Sequence, residues 1–410
     1  MNFDDTPEEA AFRAECRAWL EANAPRRREA DRSGVLSVFT PGLDSAEAIV
    51  RAHEWQLRKA QAGWAGITWP QAYGGRGGTA MQDIIFTQEE ARFDVNAHVF
   101  TIGLGLAAPT LMLFGTEDQK QRWLPPMLTG EEIWCQLFSE PDAGSDLASL
   151  TTRAERRGDH FVVNGQKVWN SGAHYSRWGM LLARTNPDVP KTKGITWFVL
   201  DMEAPGVHVA PLRQMTGGAH FSEVFFDDVR VPVENAVGGV DNGWAVARAT
   251  LLNERAMLGN VLTDAGITEG LIDLARATRR HGAPAAEDPL VREELARVYQ
   301  EAATLRYTGY RVLTAISKGG LPGPEAGGIK LVMGDLLARA AGLALELEGP
   351  AGVAADSDWQ FVFLGAPAMR LGGGTDEILK NVLGEMVLGL PREPAVDRDV
   401  PFRDLRARRG

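Results

Sequence analysis

The sequence predicts an α+β protein with an N-terminal helical domain, a middle β-barrel or β-sandwich domain and a C-terminal four-helix bundle. Residues 1–132 and 241–410 place apolar side chains at helical spacing. Residues 133–240 instead alternate apolar and polar side chains between turns rich in Gly, Asn, Asp and Pro. These changes of period divide the chain into domains at 1–132, 133–240 and 241–410.

The composition is that of an ordinary globular protein with an acidic balance. The chain has 410 residues, of which 44% are hydrophobic and 24% charged, and its formal net charge is -11. Because nucleic acid binds to basic faces, this charge argues against nucleic acid as a partner. The arginines near the C-terminus are interpreted as a solvated tail; they are Arg403, Arg406, Arg408 and Arg409.

Cysteine usage and the N-terminus predict a cytoplasmic protein. Cys16 and Cys135 lie far apart in sequence and form no disulfide framework. The acidic residues 1–5 do not begin a signal peptide. The most apolar run, Val99–Phe114, is too short for a membrane span and contains Pro109. The histidines lack His-Glu-x-x-His spacing, so no metal site is expected.

Helices are expected through most of the first domain. Thr6 and Pro7 suit the cap and first turn of a helix that runs from Pro7 to Leu20. Residues 69–78 are dense in turn formers and predict an irregular loop. The other helices are expected at Ser45–Gln61, Met81–Arg92, Val99–Phe114 and Glu117–Leu128.

The later domains follow the same reasoning. Gly158-Asp159 predicts a hairpin turn between two short strands of the β-domain. The last domain is expected to hold long helices that pack as a bundle to bury their apolar faces. Their predicted bounds are Trp244–Arg280, Pro289–Lys318, Gly328–Leu347 and Asp376–Leu388.

Two motifs in the β-domain carry most of the chemical information. In the first, Gln136–Asp146, a strand ends in a Glu-Pro turn and a Gly-Ser-Asp loop whose N–H groups and hydroxyl suit a planar polar ligand or a pyrophosphate. An ordinary strand turn with a helix-capping residue explains it equally well. In the second, Asn164–Ala173, Trp169 offers a flat face for an aromatic cofactor and Ser171 a nearby donor. A core tryptophan between two turns is the alternative.

Together these motifs resemble the middle domain of the acyl-CoA dehydrogenase family, which carries Thr/Ser-Glu-Pro-x-Ala-Gly-Ser-Asp followed by Asn-Gly-x-Lys-x-Trp. The resemblance extends over nearly the whole chain and implies bound FAD. It implies that Leu137, Phe138 and Ser139 border the isoalloxazine ring, and that Trp169 and Ser171 cover it near N5. It also implies that the loop containing Gly144 and Ser145 lies near the flavin pyrophosphate or the substrate.

A glycine-rich turn near the C-terminus, residues 372–377, resembles the flavin-contacting turn of the same family. Three glycines allow close approach of backbone to a ligand. Thr375 and Glu377 match positions that contact FAD in the same or an adjacent subunit. Without the resemblance, this segment reads as a flexible loop with Thr375 as a helix cap.

The catalytic carboxylate of the family has a different position in this chain. Most members place a Glu directly before the Gly-Thr of the turn, where this chain has Gly373. Glu254 instead follows Leu251 and Leu252 on a predicted helix, where isovaleryl- and long-chain-type dehydrogenases place their base. The alternative is a solvent-facing Glu paired with an Arg. Arg255 matches a family position near the bound thioester.

The family reaction is the α,β-desaturation of an acyl-CoA to the 2,3-enoyl-CoA. A carboxylate removes the α-proton while a hydride leaves the β-carbon for flavin N5, and the enolate needs stabilisation at the thioester oxygen. The resemblance assigns this stabilisation partly to the backbone N–H at the turn, here that of Gly373. Glycine keeps the N–H although it lacks the carboxylate. A dry pocket would raise the pKa of the base towards its working range.

One family motif is altered. Many relatives carry Arg-x-x-Phe-Gly, which reaches the FAD pyrophosphate of the neighbouring subunit. This chain has Thr278–Gly282 there, without the Phe and with its arginines shifted. Arg279 and Arg280 are both candidates for this contact.

The resemblance implies an acyl-CoA substrate, or an acyl-carrier thioester, and electron-transfer flavoprotein as the electron acceptor. It further implies a homodimer or homotetramer, with a heteromer as an alternative. Two other functions stay open at this stage: a non-catalytic flavin-binding subunit of a heteromeric dehydrogenase, and an oxidase or monooxygenase relative.

Overall fold

A computed structural model places the elements of this chain in the predicted order. It describes residues 4–26, 42, 45–96, 98–261, 266–318, 323, 326–354, 357–395 and 397–407. An N-terminal helical part, an eight-stranded sheet and a C-terminal helical part follow one another, so the α+β class is confirmed. None of the helices in these residues combines the length and apolar character of a bilayer span.

The N-terminal part consists of helices, and the first of them is capped as the sequence predicts. They are α1 (Pro7–Asn23), α2 (Ala46–Gln61), α3 (Ala80–Glu90), α4 (Ala108–Phe114) and α5 (Glu117–Thr129). The Thr6 hydroxyl accepts a hydrogen bond from the Glu9 N–H, and the Glu9 side chain bonds back to the Thr6 N–H. Trp64 stacks on Phe86 with ring centroids 5.2 Å apart inside this core.

The helix expected at Val99–Phe114 is present but is not uniformly α-helical. The chain forms a 3-10 turn at His98–Phe100 and a π turn at Gly103–Ala107 that runs directly into α4. Pro109 lies in the first turn of α4 and has no N–H to continue an α-helical ladder from the preceding turn. The π turn accommodates this interruption.

The middle part is built on a mostly antiparallel sheet of eight strands. They are β1 (Trp134–Leu137), β2 (Arg153–Arg157), β3 (His160–Lys167), β4 (Trp178–Arg184), β5 (Ile195–Asp201), β6 (Val207–Leu212), β7 (Phe221–Pro232) and β8 (Ala236–Val237). The order is β6-β7-β3-β2-β4-β5-β8, and β1 pairs in parallel with β4. Every residue of β4 is buried. The predicted hairpin is confirmed, because Gly158 has φ +65° between the paired β2 and β3.

The C-terminal part is a helical bundle followed by a short terminal segment. Its elements are α6 (Gly243–Val261), α7 (Ile267–Ala277), the ribbon β9 (Arg279–Arg280) and β10 (Ala283–Pro284), α8 (Pro289–Ser317), α9 (Ala326–Glu348), α10 (Pro350–Ala354), α11 (Asp358–Leu371), α12 (Asp376–Val382) and α13 (Phe402–Ala407). Helix α9 packs against α6, α7, α8 and α11. The fully buried Leu271, Val298, Leu337 and Val362 lie in this core.

Two details of the predicted bundle are wrong. The continuous helix expected from Trp244 to Arg280 is two helices, and Gly266, with φ +61°, precedes the second. This second helix ends at Ala277, so Arg279 and Arg280 lie on the β9–β10 ribbon instead of a helix. Helix α11 was not expected from the sequence, and it contains Pro367.

Helix α6 joins the three parts. Its first residue, Gly243, lies so near β5 that a Cβ atom there would be 2.6 Å from the Thr196 carbonyl carbon. The hydroxyls of Thr250 on α6 and Thr110 on α4 are 3.0 Å apart, and both residues are fully buried. These contacts fix the position of α6 against the sheet and the N-terminal helices.

Candidate active site

The end of β1 is held by a buried ion pair. The Lys167 ammonium donates to Glu140 Oε1 at 2.8 Å and to the Phe138 carbonyl at 2.9 Å. The other Glu140 oxygen accepts from the N–H and hydroxyl of Thr151 at 2.6 and 2.8 Å. The Val168 N–H donates to the Ser139 carbonyl at 2.9 Å. The backbone of Phe138 and Ser139 is therefore fixed between the two motifs.

Burial and the hydrogen-bonding partners of Glu140 have opposite effects on its pKa. Burial alone would raise the pKa of Glu140. The Lys167 charge and the hydrogen bonds from Lys167, Thr152 and Thr151 outweigh it and lower the pKa to about 2. The carboxylate therefore stays ionised in the interior, and it serves as an anchor instead of a proton acceptor.

The loop after Glu140 turns outward. Reciprocal backbone hydrogen bonds of 3.1 Å join Glu140 and Ala143, and Ala143 is buried. Gly144, Ser145 and Asp146 follow on the surface, so their polar groups are available to a ligand. On β1 itself, the Leu137 side chain is fully buried, which leaves only its backbone for the predicted flavin contact.

Trp169 is exposed and has an unusual backbone. Its φ is +62°, and 62% of its surface is accessible although it lies between two buried residues. Its ring meets that of Phe221 edge to face with centroids 6.0 Å apart. Left-handed backbone is strained in a bulky residue and concentrates at functional sites. The interpretation of Trp169 as a core residue is wrong, and an exposed stacking face takes its place.

Backbone bonds on both sides of Trp169 maintain this conformation. Asn170 exchanges two hydrogen bonds with Ser222, 3.0 and 3.1 Å long, and its amide donates to the Gln136 carbonyl at 2.7 Å. Asn170 Oδ1 and Ser222 Oγ are buried, and neither has a hydrogen-bond partner among the described residues. Ser171 follows as a half-buried residue.

Charged side chains hold the glycine-rich turn before α12 in place. Gly373 and Gly374 have φ of +67° and +93°, a region that favours glycine. The Lys330 ammonium on α9 donates to the Gly374 carbonyl at 2.6 Å and lies 3.6 Å from Asp376. Arg370 donates to the other oxygen of Asp376 at 2.7 Å. Both Lys330 and Asp376 are buried.

Thr375 and Glu377 begin α12. The Thr375 hydroxyl accepts from the Ile378 N–H at 3.3 Å, which makes Thr375 the predicted helix cap. Glu377 is exposed in the first helical turn. The helix-cap role predicted for Thr375 is therefore confirmed.

Glu254 lies on α6, one helical turn after the buried Thr250. It is half-buried, as are the preceding Leu251 and Leu252, and Leu251 packs on the core between the sheet and the N-terminal helices. Arg255 continues the same helix. Because α9 packs against both α6 and α12, it connects the helix that carries Glu254 with the turn that carries Gly373.

Arg279 and Arg280 have other partners. Arg280 lies 3.2 Å from Glu346 and 3.4 Å from Asp288, and the exposed Arg279 donates to the Gly282 carbonyl at 2.6 Å. Within the described part of the chain, no ion pair or hydrogen bond joins them to the residues above. They are on the outside of the bundle at the end of α7.

The site fits a large planar cofactor with polar edges. An exposed indole face, unpartnered buried oxygens and a turn at positive φ suit the ring and ribityl groups of FAD, and the exposed loop at Gly144–Asp146 suits a phosphate group of the cofactor or of the substrate. Among the described residues, no group of three His, Cys, Asp or Glu side chains suits a metal ion.

Comparison with known proteins agrees with this geometry. Family models of the acyl-CoA dehydrogenase N-terminal, middle and C-terminal domains match residues 6–131, 135–229 and 241–388. The chain is 38% identical over 394 residues to acyl-CoA dehydrogenase IpdE1 of Mycobacterium tuberculosis, an alignment that covers 93% of this chain and 98% of that protein. The chain belongs to the acyl-CoA dehydrogenase family. This dehydrogenase therefore uses FAD, and its substrate is an acyl-CoA thioester.

Solved structures of the family superpose on nearly the whole chain. One is described as the Tcur3481-Tcur3483 steroid ACAD, with a TM-score of 0.79, 29% identity and coverage of 96% of this chain and 100% of that chain. Another is the ChsE4-ChsE5 complex from Mycobacterium tuberculosis, with a TM-score of 0.77, 30% identity and coverage of 96% and 100%. Both are named after two different components.

Sequence reasoning missed several residues that build the dehydrogenase site. The pairing of Glu140 with Lys167 was not predicted, and neither were the roles of Lys330 and Arg370. A signal was present for Lys330, since a Lys in the apolar sequence of α9 needs a partner.

Proposed function

We propose that Glu254 is the base that removes the α-proton of the acyl-CoA. Three observations support this proposal: the half-buried position on α6 close to half-buried leucines, the packing of α9 against both α6 and α12, and a glycine in the turn position that usually holds the acid. Half-burial next to leucines reduces hydration of the carboxylate, which favours proton uptake. The Gly373 N–H would stabilise the enolate, because it would donate to the thioester oxygen as negative charge develops there.

The cofactor is held by the two β-domain motifs and the turn. When bound, FAD supplies the two-electron acceptor for the hydride that leaves the β-carbon. The backbone of Leu137, Phe138 and Ser139 would border the ring, with Trp169 and Ser171 over it. The remaining proposed contacts to FAD or thioester are Gly144, Ser145, Thr375, Glu377, Arg255, and one of Arg279 and Arg280.

We further propose a bulky, ring-containing acyl group as the substrate. The support is a relative of 29% identity described as a steroid ACAD, which aligns over 96% of this chain. A panel of short, branched, aromatic and steroid-like CoA thioesters tests this by the rate of anaerobic flavin bleaching. Fastest reduction by a short straight-chain thioester would contradict it.

Electrons would then leave to an electron-transfer flavoprotein, the acceptor expected for the family. Accumulation of hydrogen peroxide in the absence of that acceptor would instead identify an oxidase. The two buried, unpaired cysteines, Cys16 and Cys135, suit a cytoplasmic site of action.

For the assembly we propose a homodimer or homotetramer, with a heteromer as the second candidate. The family resemblance supports the homomer, and the two-component names of the solved relatives are the reason to retain the heteromer. Light scattering together with the FAD content per chain separates the two. One FAD per chain in a dimer or tetramer supports the homomer, whereas low FAD content and no reduction by any thioester support a heteromer with a missing partner.

The test of the base is Glu254→Gln, with Glu269→Gln as its matched control. Glu269 is an exposed helical glutamate on α7 and lies outside the proposed site. Glu254→Gln should retain FAD and thermal stability but lose at least about three orders of magnitude in anaerobic flavin reduction, since it keeps shape and loses basicity. Glu269→Gln should match the wild type. Reduction by Glu254→Gln at the wild-type rate would place the base elsewhere.

A further inference from the structure

The terminal segment 397–407 forms a strap across the β-domain, although residues 389–410 lie beyond the family model that ends at 388. Its backbone pairs with the turn between β4 and β5: the Phe402 N–H donates to the Val189 carbonyl at 2.9 Å, and the Arg403 N–H to the Pro187 carbonyl at 3.0 Å. Pro401 forms an isolated bridge with Pro190. Of the arginines expected in a solvated tail, Arg403 is exposed and its guanidinium lies 2.6 Å from Asp188, whereas Arg408 and Arg409 lie outside the described residues.

Phe402 anchors the strap. It is 6% exposed, and the Arg184 guanidinium lies 3.9 Å from its ring centroid. Arg184 is itself buried and donates to the Ala148 carbonyl at 2.6 Å and to the Leu150 carbonyl at 3.3 Å. The strap is therefore connected through Arg184 to the chain that follows the Gly144–Asp146 loop.

Lys191 makes a second connection. Its ammonium lies 2.8 Å from Asp397 on the strap and 3.0 Å from Asp146 on the loop. Partial burial alone would lower the pKa of Lys191, but the hydrogen bonds that its ammonium donates to both carboxylates raise it, so the lysine stays charged at neutral pH. Asp146 directly follows Ser145, and without Lys191 its carboxylate would face a polyanionic ligand uncompensated.

We propose that the strap is a positioning element that holds the Gly144–Asp146 loop, through Lys191 and Arg184, in the conformation that binds the charged half of coenzyme A. This inference rests on the proposed role of the loop as a ligand contact. It assigns no part of the proton or hydride transfer to the strap. Its loss should therefore weaken binding of the nucleotide half and leave the chemical step nearly unchanged.

The experiment uses full-length FAD-loaded protein and two probes that cannot be dehydrogenated, acetoacetyl-CoA and its pantetheine analogue. The small acyl group leaves most of the affinity to the carrier half, and calorimetric binding does not require turnover. The variants are Lys191→Met and Phe402→Ala. Lys193→Met is the matched control, because Lys193 lies in the same turn and is exposed without an ion pair to the described residues.

Lys191→Met should weaken acetoacetyl-CoA binding about 3- to 10-fold and Phe402→Ala by about 10-fold, while the pantetheine analogue changes less than about twofold. The Lys191→Met effect should shrink at high salt, whereas the Phe402→Ala effect should persist, because only the first is mainly electrostatic. With a working substrate, kcat should stay within about twofold while KM rises. Lys193→Met should bind as the wild type does.

Equal weakening for both probes, or unchanged binding in both variants, would overturn the proposal. If Phe402→Ala proves too unstable to load FAD, the Lys191→Met comparison alone decides the outcome. Failure of Glu254 as the base would leave these binding results unaffected, so the two proposals fail separately.

Discussion

Replacing Lys167 by methionine tests what holds the end of β1, which is proposed to border the flavin. The ammonium is fully buried and bonds to both Glu140 and the Phe138 carbonyl. Removing one partner of a buried ion pair leaves the other charge uncompensated and costs about 3–5 kcal/mol. The ordered backbone at Phe138 and Ser139 would also lose its anchor.

The lowered pKa of Glu140 gives a free energy for the stabilisation of its ionised form in the fold. Its ordinary value of 4.5 falls to about 2 in the fold, and at about 1.4 kcal/mol per pKa unit this is roughly 3 kcal/mol in favour of the ionised form. Because the folded pKa is depressed, this stabilisation is present above pH 4.5 and is lost as the pH falls towards 2. Burial lowers the pKa of Lys167, so desolvation of the ammonium reduces the net value of the pair.

Urea unfolding of the apoprotein at pH 7 measures these effects in a double-mutant cycle. Lys167→Met should lose about 3–5 kcal/mol, and the double variant Lys167→Met/Glu140→Gln should lose less than the sum of the two single variants, since neither charge is left buried. Lys193→Met serves as the exposed control. A loss below about 1 kcal/mol for Lys167→Met, or strict additivity, would refute the reasoning. FAD retention is the functional measure, and it should fall in both single variants.

Three other substitutions test the remaining supports. Lys330→Met should remove the donor to the Gly374 carbonyl and lower the free energy of unfolding by about 2–4 kcal/mol. It should also weaken the charge-transfer absorbance of a bound 3-thiaacyl-CoA enolate. An unchanged absorbance band would show that Lys330 does not support the turn. Trp169→Gly should stabilise the apoprotein by about 1 kcal/mol in thermal unfolding, because glycine relieves the strain of the left-handed backbone. The same variant should release FAD faster, because the stacking ring is lost. Slower release would contradict the stacking role. Gly243→Ala should cost more than about 2 kcal/mol in urea unfolding, because its Cβ would meet the backbone of Thr196 at 2.6 Å; a neutral effect would show that α6 can shift.

Local features of the sequence predicted most of the fold. Helix starts such as that at Pro7 depend on residues within one turn, and strands such as β3 depend on alternation within eight residues. Interruptions were harder to place. The break before α7 and the π turn after Phe100 depend on what packs against those helices as well as on local propensity.

Some features of the candidate site were likewise predictable from local sequence, and others were not. The motifs marked the loop at Gly144–Asp146, the tryptophan at 169 and the glycine turn as candidates, because glycine and aromatic residues have distinctive local roles, and the family resemblance favoured a cofactor site over ordinary turns and a core tryptophan. The left-handed backbone of Trp169 could not be read from the motif, since its flanking hydrogen bonds come from Ser222 on a distant strand.

By itself, the sequence determined the order of α, β and α parts, the helix caps and the family to which the dehydrogenase belongs. Only the tertiary structure decided that Lys167 pairs with Glu140, that Lys330 supports the turn and that Phe402 docks beneath Arg184. The reason is physical: periodicity and capping are properties of neighbouring residues, whereas a buried charge takes its partner from whatever element the fold brings within hydrogen-bonding distance.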